Sequence, residues 1–373
     1  MIGLYLHIPF CEKKCHYCNF VVTTSYSKKE QTEFLTAIEK EIGHHRDHFE
    51  DRDFETLYLG GGTPSVLSEG SLERLLSFLK KHFRFKPNAE MTCEVNPGDL
   101  GPAKVKLLKE FGMSRVSLGA QTFNDETLKK LNRSHSAEDI LKSYHLLEKA
   151  GFQNINMDFI LSLPGETLED IKDSLQKAVD LGARHISLYE LTIEEKTVFG
   201  SQHKKGKLLL PNEETQTTLL TFARDFLKQN GFLHYELLNY AKPGSQSRHN
   251  LLYWANEEYL GLGPGAFSYF AGRRFRSSAS VEEYFTKMKN NDWSAHEEEV
   301  LSHDKKEIES LLLALRLTEG ADTVRFRSVL SKLRAPIDDL QEKGLLIQDL
   351  QSVRLSPRGQ FLAETVFAEL ASL

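Results

Sequence analysis

Short runs of apolar residues alternate, over the first half of the chain, with longer segments in which apolar residues recur every three or four positions. The runs predict β-strands at residues 3–8, 56–59, 90–95, 115–119, 155–161 and 185–191. The longer segments predict amphipathic helices at residues 29–48, 71–83, 103–111, 137–150 and 168–181. Regular strand–helix alternation is typical of parallel sheets with right-handed crossovers. We therefore expect an α/β fold built on a partial (β/α)6 barrel.

The pattern changes after Pro211. A helix is predicted at 213–230 and a strand at 232–238, followed by a glycine- and aromatic-rich stretch at 242–275 that we expect to be irregular. Helices at 305–317, 324–333 and 337–343, short strands at 345–350 and 353–355, and a closing helix at 359–370 predict a small C-terminal helical domain that resembles a winged helix. We expect three parts: the barrel over 1–235, a barrel extension over 236–300, and the C-terminal domain over 301–373.

Polar and glycine residues collect where the predicted strands end. They are Cys11, Gly60–Pro64, Glu94, Gln121, Asp158 and Glu190, taken from the first strand to the sixth. In parallel β/α folds the carboxyl ends of the strands form the working face. The sequence therefore predicts a functional site at this end of the barrel.

Three of the four cysteines lie within eight positions, as Cys11, Cys15 and Cys18 in a Cys-x3-Cys-x2-Cys spacing. Three thiolates can hold three irons of a [4Fe–4S] cluster, which leaves the fourth iron open to a substrate. The alternative is a zinc site completed by His16 or His7. Zinc sites usually pair their ligands in two separated groups, and no second Cys/His pair follows, so the spacing favours the cluster. Tyr17 and Phe20 place aromatic bulk beside it.

Composition narrows the class of protein. The hydrophobic fraction is 40%, the mean hydropathy is −0.40, and the apolar runs are too short to cross a bilayer. A formal charge of −6 argues against broad attraction to nucleic acid, and the C-terminal unit carries no basic recognition face. The N-terminus has no basic flank followed by an apolar run, so we expect no secretory signal and a cytoplasmic location.

The residues from Tyr5 to Cys18, taken together with Gly60–Pro64, resemble the radical S-adenosylmethionine superfamily, and within it oxygen-independent coproporphyrinogen oxidase and its relatives. The resemblance implies that S-adenosylmethionine binds the open iron, and that the reduced cluster can cleave it to a 5′-deoxyadenosyl radical. By position it also implies a cofactor pocket. The residues that match this pocket are Tyr5, Tyr17, Gly61, Gly62, Thr63, Glu94, Gln121, Arg133 and Asp158.

Two differences from the oxidase indicate its sister group, the HemW-type heme chaperones. Phe20 stands where the oxidase has a further cysteine, and the oxidase's long N-terminal extension has no counterpart before the first strand. The His-Asn-x-x-Tyr-Trp motif associated with heme binding in that group is matched by His249, Asn250, Tyr253 and Trp254, followed by the glycine-rich run 261–266.

This resemblance implies a heme chaperone that delivers heme to acceptor hemoproteins, respiratory ones among them, with at most transient contact with a membrane surface. Imidazole is a common axial ligand of heme iron, and aromatic faces pack on porphyrins. The resemblance assigns no catalytic residue and leaves open whether S-adenosylmethionine is cleaved in function. The alternative is radical decarboxylation of coproporphyrinogen to protoporphyrinogen.

Overall fold

The computed structural model describes residues 1–372. Its strands are β1 Ile2–Ile8, β2 Asp53–Gly61, β3 Arg84–Val95, β4 Arg115–Gln121, β5 Asn154–Leu161, β6 His185–Glu190, β7 Leu233–Glu236, β8 Asn239–Ala241, β9 Glu258–Leu262, β10 Phe267–Phe270, β11 Arg273–Arg276, β12 Glu297–Val300, β13 Ala321–Asp322, β14 Leu346–Gln348 and β15 Ser352–Leu355. Its helices are α1 Lys28–His45, α2 Glu69–His82, α3 Pro102–Glu110, α4 Asp125–Lys130, α5 Ala137–Lys149, α6 Leu168–Asp180, α7 Val198–Lys204, α8 Glu213–Gln229, α9 Arg248–Trp254, α10 Val281–Asn290, α11 His303–Ala314, α12 Arg327–Lys332, α13 Arg334–Glu342, α14 Pro357–Phe361 and α15 Ala363–Ala371. Short 3₁₀ turns cover Arg46–Phe49 and Pro64–Val66.

The main sheet has the order β12-β11-β10-β9-β1-β2-β3-β4-β5-β6-β8-β7. Strands β1 to β6 are parallel neighbours in chain order, as predicted, so their carboxyl ends lie along one edge. Leu4, Leu6 and Ile8 of β1 are fully buried, and the helices between the strands pack against this apolar layer. The α/β fold and the partial barrel are confirmed.

Several crossover helices begin at the same kind of polar signal. Ser27 caps α1 and Thr167 caps α6; each side chain accepts a hydrogen bond from the backbone N–H of the third helical residue. The acidic side chains of Glu30 and Asp170, at those third positions, bond back to the cap. This capping box satisfies backbone N–H groups that would otherwise lack partners, which is why the helices start where they do.

The prediction of an irregular stretch at 242–275 is wrong. It contains α9, β9, β10 and β11, and β9 pairs in parallel with β1, extending the barrel sheet by one strand. Gly261 lets β10 approach β9 closely, because a Cβ there would lie 1.9 Å from the carbonyl oxygen of Phe267, the first residue of β10. Close backbone packing that only glycine allows looks, in a sequence, like a turn.

The C-terminal domain packs its helices around a small antiparallel sheet of order β13-β15-β14, with a core separate from that of the barrel. The prediction of one continuous closing helix at 359–370 is wrong. Leu362 leaves helical geometry, so the segment forms two helices, α14 and α15. This domain contacts the barrel extension beside α9: Asn256 donates to Ser310 at 2.9 Å, and Arg274 pairs with Glu309.

Among the helices of residues 1–372, we find none with the length and apolar character needed to cross a membrane.

Candidate functional site

The three clustered cysteines lie on the loop that leaves β1. Backbone bonds hold this loop: the N–H of Cys11 donates to Thr23 at 3.1 Å, and that of Cys18 donates to Cys15 at 3.1 Å. His16 anchors it to the end of α4, its Nδ1 donating to the carbonyl of Lys130 at 2.8 Å. All three thiols are free and partly exposed. The loop therefore presents three unpaired sulfurs at the carboxyl edge of the sheet.

Two side chains donate hydrogen bonds to these sulfurs. Thr63 Oγ1 lies 3.5 Å from Cys11 Sγ, and Arg133 Nη1 lies 3.4 Å from Cys15 Sγ. Burial raises the pKa of the Cys11 thiol to about 11, while the Thr63 hydroxyl and the Arg133 charge act in the opposite direction. Donors and a buried cation beside the sulfurs are suited to thiolates bound to metal.

The geometry favours the cluster over zinc. His7, one proposed fourth ligand, already uses both nitrogens, with Tyr5 OH at 3.0 Å and the Val21 carbonyl at 2.8 Å. His16 is engaged through Nδ1 as described. The donor set fits a cube with three protein-bound corners.

The glycine turn after β2 packs directly on the chain that leads into the cysteines. The N–H of Gly62 donates to Ile8 at 2.8 Å, and that of Thr63 donates to Phe10 at 2.7 Å. A Cβ at Gly62 would lie 2.7 Å from both of those carbonyl oxygens, and one at Gly61 would lie 2.4 Å from the His7 ring. Glycine is thus needed for β2 and the cysteine loop to approach so closely.

Two half-buried carboxylates lie in the barrel interior beside this turn. Glu94 accepts from Tyr58 OH at 2.7 Å and from the N–H of Gly61 at 3.2 Å. Burial, together with the nearby charge of Asp158, raises the pKa of Glu94 to about 7, so the two carboxylates interact. Asp158 accepts from Ser117 Oγ at 2.8 Å, and burial raises its pKa too. Such groups can accept hydrogen bonds from the hydroxyls of a bound ligand.

Arg133 connects the remaining predicted pocket residues. Its Nη2 donates to Asn96 Oδ1 at 2.7 Å and to the carbonyl of Gly119 at 2.9 Å. The Gln121 amide lies beside the same Gly119, in a backbone conformation with φ of 66°. Arg133 Nε is buried and lacks a hydrogen-bond partner in the part of the chain that the structure describes. The guanidinium therefore retains a donor for a further group.

Sequence reasoning missed two residues here. Asn96 donates to Thr63 at 3.2 Å and accepts from Arg133, so it joins the donors of Cys11 and Cys15 into one network. Tyr58 binds Glu94, and its ring centre lies 6.2 Å from that of Tyr5. Two signals in the sequence could have found them. Asn96 directly follows β3, and so lies where the other polar residues collect. Tyr58 precedes Gly60 by two positions, and residues two apart on a strand share one face.

The heme motif lies on α9 and forms the wall of a separate cavity. His249 is buried, with Nδ1 2.7 Å from Thr56 Oγ1 and Nε2 2.8 Å from Tyr253 OH. Burial lowers the pKa of His249 to about 3. Both ring nitrogens of His249 thus already form hydrogen bonds, and the ring lies behind Tyr253. An iron ligand would need one of these nitrogens to be free. Asn250 contributes its backbone N–H to the Ser247 cap of the helix, at 3.3 Å.

Tyr253 and Trp254 instead face a cavity of about 500 Å³ between the barrel extension, the cysteine loop and the C-terminal domain. Its other lining residues are Tyr5, His7, Asn19, Phe20, Val21, Asn256, Tyr259, Gly265, Ala266, Phe267, Arg274, Arg276 and Leu313. The predicted cofactor residues, Tyr5 excepted, lie outside this set. The predicted cofactor residues and this cavity are therefore neighbours on either side of the cysteine loop.

Comparison with known proteins places this geometry in a family context. Residues 5–178 match the Radical SAM superfamily and residues 301–362 match the HemN C-terminal domain. The chain is 37% identical to the heme chaperone HemW of Lactococcus lactis, over 97% of this chain and 95% of that one. It is 36% identical to the heme chaperone HemW of Bacillus subtilis, over 98% of each.

The fold is also similar to a solved structure, the coproporphyrinogen III oxidase HemN of Escherichia coli, which is described as a radical SAM enzyme. The TM-score is 0.88 at 22% identity, covering 100% of this chain and 90% of that one. At that identity the likeness concerns the fold alone.

Proposed function

We propose that this chain, which belongs to the HemW family of heme chaperones, binds heme and transfers it to acceptor hemoproteins. The membership confirms the group predicted from Phe20 and the His-Asn-x-x-Tyr-Trp motif, within the superfamily predicted from the cysteine spacing and the glycine turn. The observation that carries the proposal is the aromatic cavity of about 500 Å³, walled by Tyr253 and Trp254 on one side and by the cysteine loop on the other. A cavity of that size, with aromatic faces, suits a planar macrocycle.

The cluster loop serves the resident cofactors. Cys11, Cys15 and Cys18 hold a [4Fe–4S] cluster, which when bound supplies an electron and an open iron for S-adenosylmethionine. Arg133 and Thr63 donate to the ligand sulfurs and so stabilise them as thiolates. The pocket for the nucleoside uses the predicted set, namely Tyr5, Tyr17, Gly61, Gly62, Thr63, Glu94, Gln121, Arg133 and Asp158.

The motif residues on α9 have different roles in the proposed heme site. Tyr253 and Trp254 contact the cavity, whereas His249 acts through Tyr253, whose hydroxyl it holds at 2.8 Å. Asn250 belongs to the same helix turn. We propose His249 as a positioning residue, since both its nitrogens are engaged.

We further propose a cytoplasmic protein whose acceptors include respiratory hemoproteins, met through at most transient contact with a membrane surface, and with no nucleic-acid partner. The proposed division is a barrel over 1–235, an extension over 236–300 that carries α9, and an accessory domain over 301–373. The separate core of the last unit supports its role as a distinct domain.

The decisive experiment uses anaerobically purified full-length protein, with iron, sulfide and heme quantified on one sample. We expect a reconstituted cluster, saturable heme binding, and heme transfer to an apo-hemoprotein acceptor detected by its absorption spectrum. The same preparation is then given coproporphyrinogen, S-adenosylmethionine and a reductant. Robust formation of vinyl groups would overturn the chaperone proposal in favour of the oxidase, as would a failure to bind heme.

A further inference from the structure

We propose that heme lies in the cavity beside Tyr253 and Trp254 with a propionate carboxylate paired to Arg276. The inference rests on the proposed function and deepens it by naming the site and the group that recognises the acidic edge of the ligand. Arg276 lies on β11, outside every motif that the sequence singles out.

The cavity walls come from three distant parts of the chain. Phe20 follows the last cysteine, Tyr259 and Phe267 come from the extension, and Leu313 comes from the C-terminal domain. Phe20 is 66% exposed and Phe267 40%, so two large aromatic side chains remain open to a ligand at this cavity. Flat aromatic walls favour a flat aromatic ligand over a flexible polar one.

Arg276 is the cation of this cavity that has no carboxylate partner. Its neighbours on β11 are paired, Arg273 with Glu298 and Arg274 with Glu309. The Arg276 guanidinium instead lies 5.3 Å from the Phe267 ring centre. Its Nε is buried and forms no hydrogen bond within residues 1–372. Arg276 is half-buried, and although Glu297 stands opposite it on β12, the guanidinium forms no ion pair with that carboxylate; a carboxylate from the ligand would supply the missing partner.

Trp254 is the second group with an unused donor. Its indole Nε1 is buried and unpaired among the described residues, while the guanidinium of Arg316 lies 4.7 Å from its ring centre. Arg316 precedes Leu317, which bridges to Glu236 of β7, so the C-terminal domain holds Trp254 in its place on the wall. Trp254 also offers a reporter, since the chain has two tryptophans and the other, Trp293, stacks on His44 away from the cavity.

The test uses the full chain with Trp293→Phe, so that quenching of Trp254 fluorescence reports heme entry. Arg276→Gln is compared with Arg273→Gln, a matched control on the same strand whose partner is the exposed Glu298. Loss of a charge-assisted pair predicts an affinity about 10- to 100-fold weaker for Arg276→Gln. The control should match the parent protein.

Ligand chemistry supplies the second arm. Heme dimethyl ester, whose propionates are blocked, should bind the parent protein as weakly as heme binds Arg276→Gln, and its affinity should not change with that substitution. Arg276→Lys should recover part of the affinity for heme, because it keeps the charge. Thermal unfolding of each variant checks the fold, and the ester comparison in the parent protein stands even if Arg276→Gln misfolds.

The outcomes separate the two proposals. If the parent protein binds heme but neither Arg276→Gln nor esterification weakens binding, the cavity assignment is overturned and the chaperone function survives. If the parent protein binds no heme at all, the proposed function itself fails. Weakening by both changes, without additivity, supports the pairing of Arg276 with a propionate.

Discussion

Gly62→Ala offers a sharp test of how the barrel holds its cysteine loop. The new Cβ would lie 2.7 Å from the carbonyl oxygens of Ile8 and Phe10, and neither is the end of a flexible side chain. Overpacking costs about 1 to 3 kcal/mol. Moving the glycine turn away from these two carbonyls would also weaken the hydrogen bonds that they accept from the N–H groups of Gly62 and Thr63. Each bond is worth about 0.5 to 1.5 kcal/mol. We expect the free energy of unfolding to fall by about 2 to 6 kcal/mol.

Urea unfolding of the apo-protein measures this loss, and anaerobic iron and sulfide analysis measures its consequence for the cluster. Cluster occupancy should fall with stability, because the displaced carbonyls lie directly before Cys11. Gly43→Ala is the control: a Cβ there meets nothing within 4 Å, and in helix α1 alanine is favoured over glycine by up to about 1 kcal/mol. An unchanged unfolding free energy in Gly62→Ala, with full iron content, would refute the reasoning.

Three further predictions follow from buried or bound groups. Serine in place of any one of the three clustered cysteines should abolish stable iron binding, whereas Cys93→Ser, in a buried strand, should retain it; elemental analysis decides. Burial raises the pKa of Glu41 from 4.5 to about 7, so the folded protein keeps a proton that the unfolded chain releases. Stability should therefore fall as pH rises from about 4.5 to 7, by about 3 kcal/mol from this group, and Glu41→Gln should remove that part of the urea-measured slope. His249→Ala should leave the hydroxyls of Thr56 and Tyr253 without a partner and lower stability by about 2 to 5 kcal/mol. The absorption spectrum of bound heme should keep its ligation pattern; a changed pattern would make His249 a ligand after all.

Much of the barrel could be predicted because its signals are local. Each of the first six strands is a short apolar run, and helices such as α1 and α6 begin at a serine or threonine followed by an acid three positions later. The position of Cys11, Glu94 and Gln121 at strand ends then follows from parallel topology alone. The same reasoning failed for β9, because its pairing with β1 joins segments far apart in the chain and its Gly261 lies against Phe267 of β10. No periodicity reveals such neighbours in space.

The site divides in the same way. Neighbouring residues of one loop, Cys11 to Cys18, carry their chemistry in their spacing, so the metal centre could be predicted from the sequence by itself. Only the tertiary structure decided which polar atoms have a hydrogen-bond or ion-pair partner within the protein. It occupies both nitrogens of His249 and leaves Arg276 without a carboxylate. The reason is physical: spacing along a chain is covalent, whereas burial and pairing depend on neighbours that folding brings from distant segments.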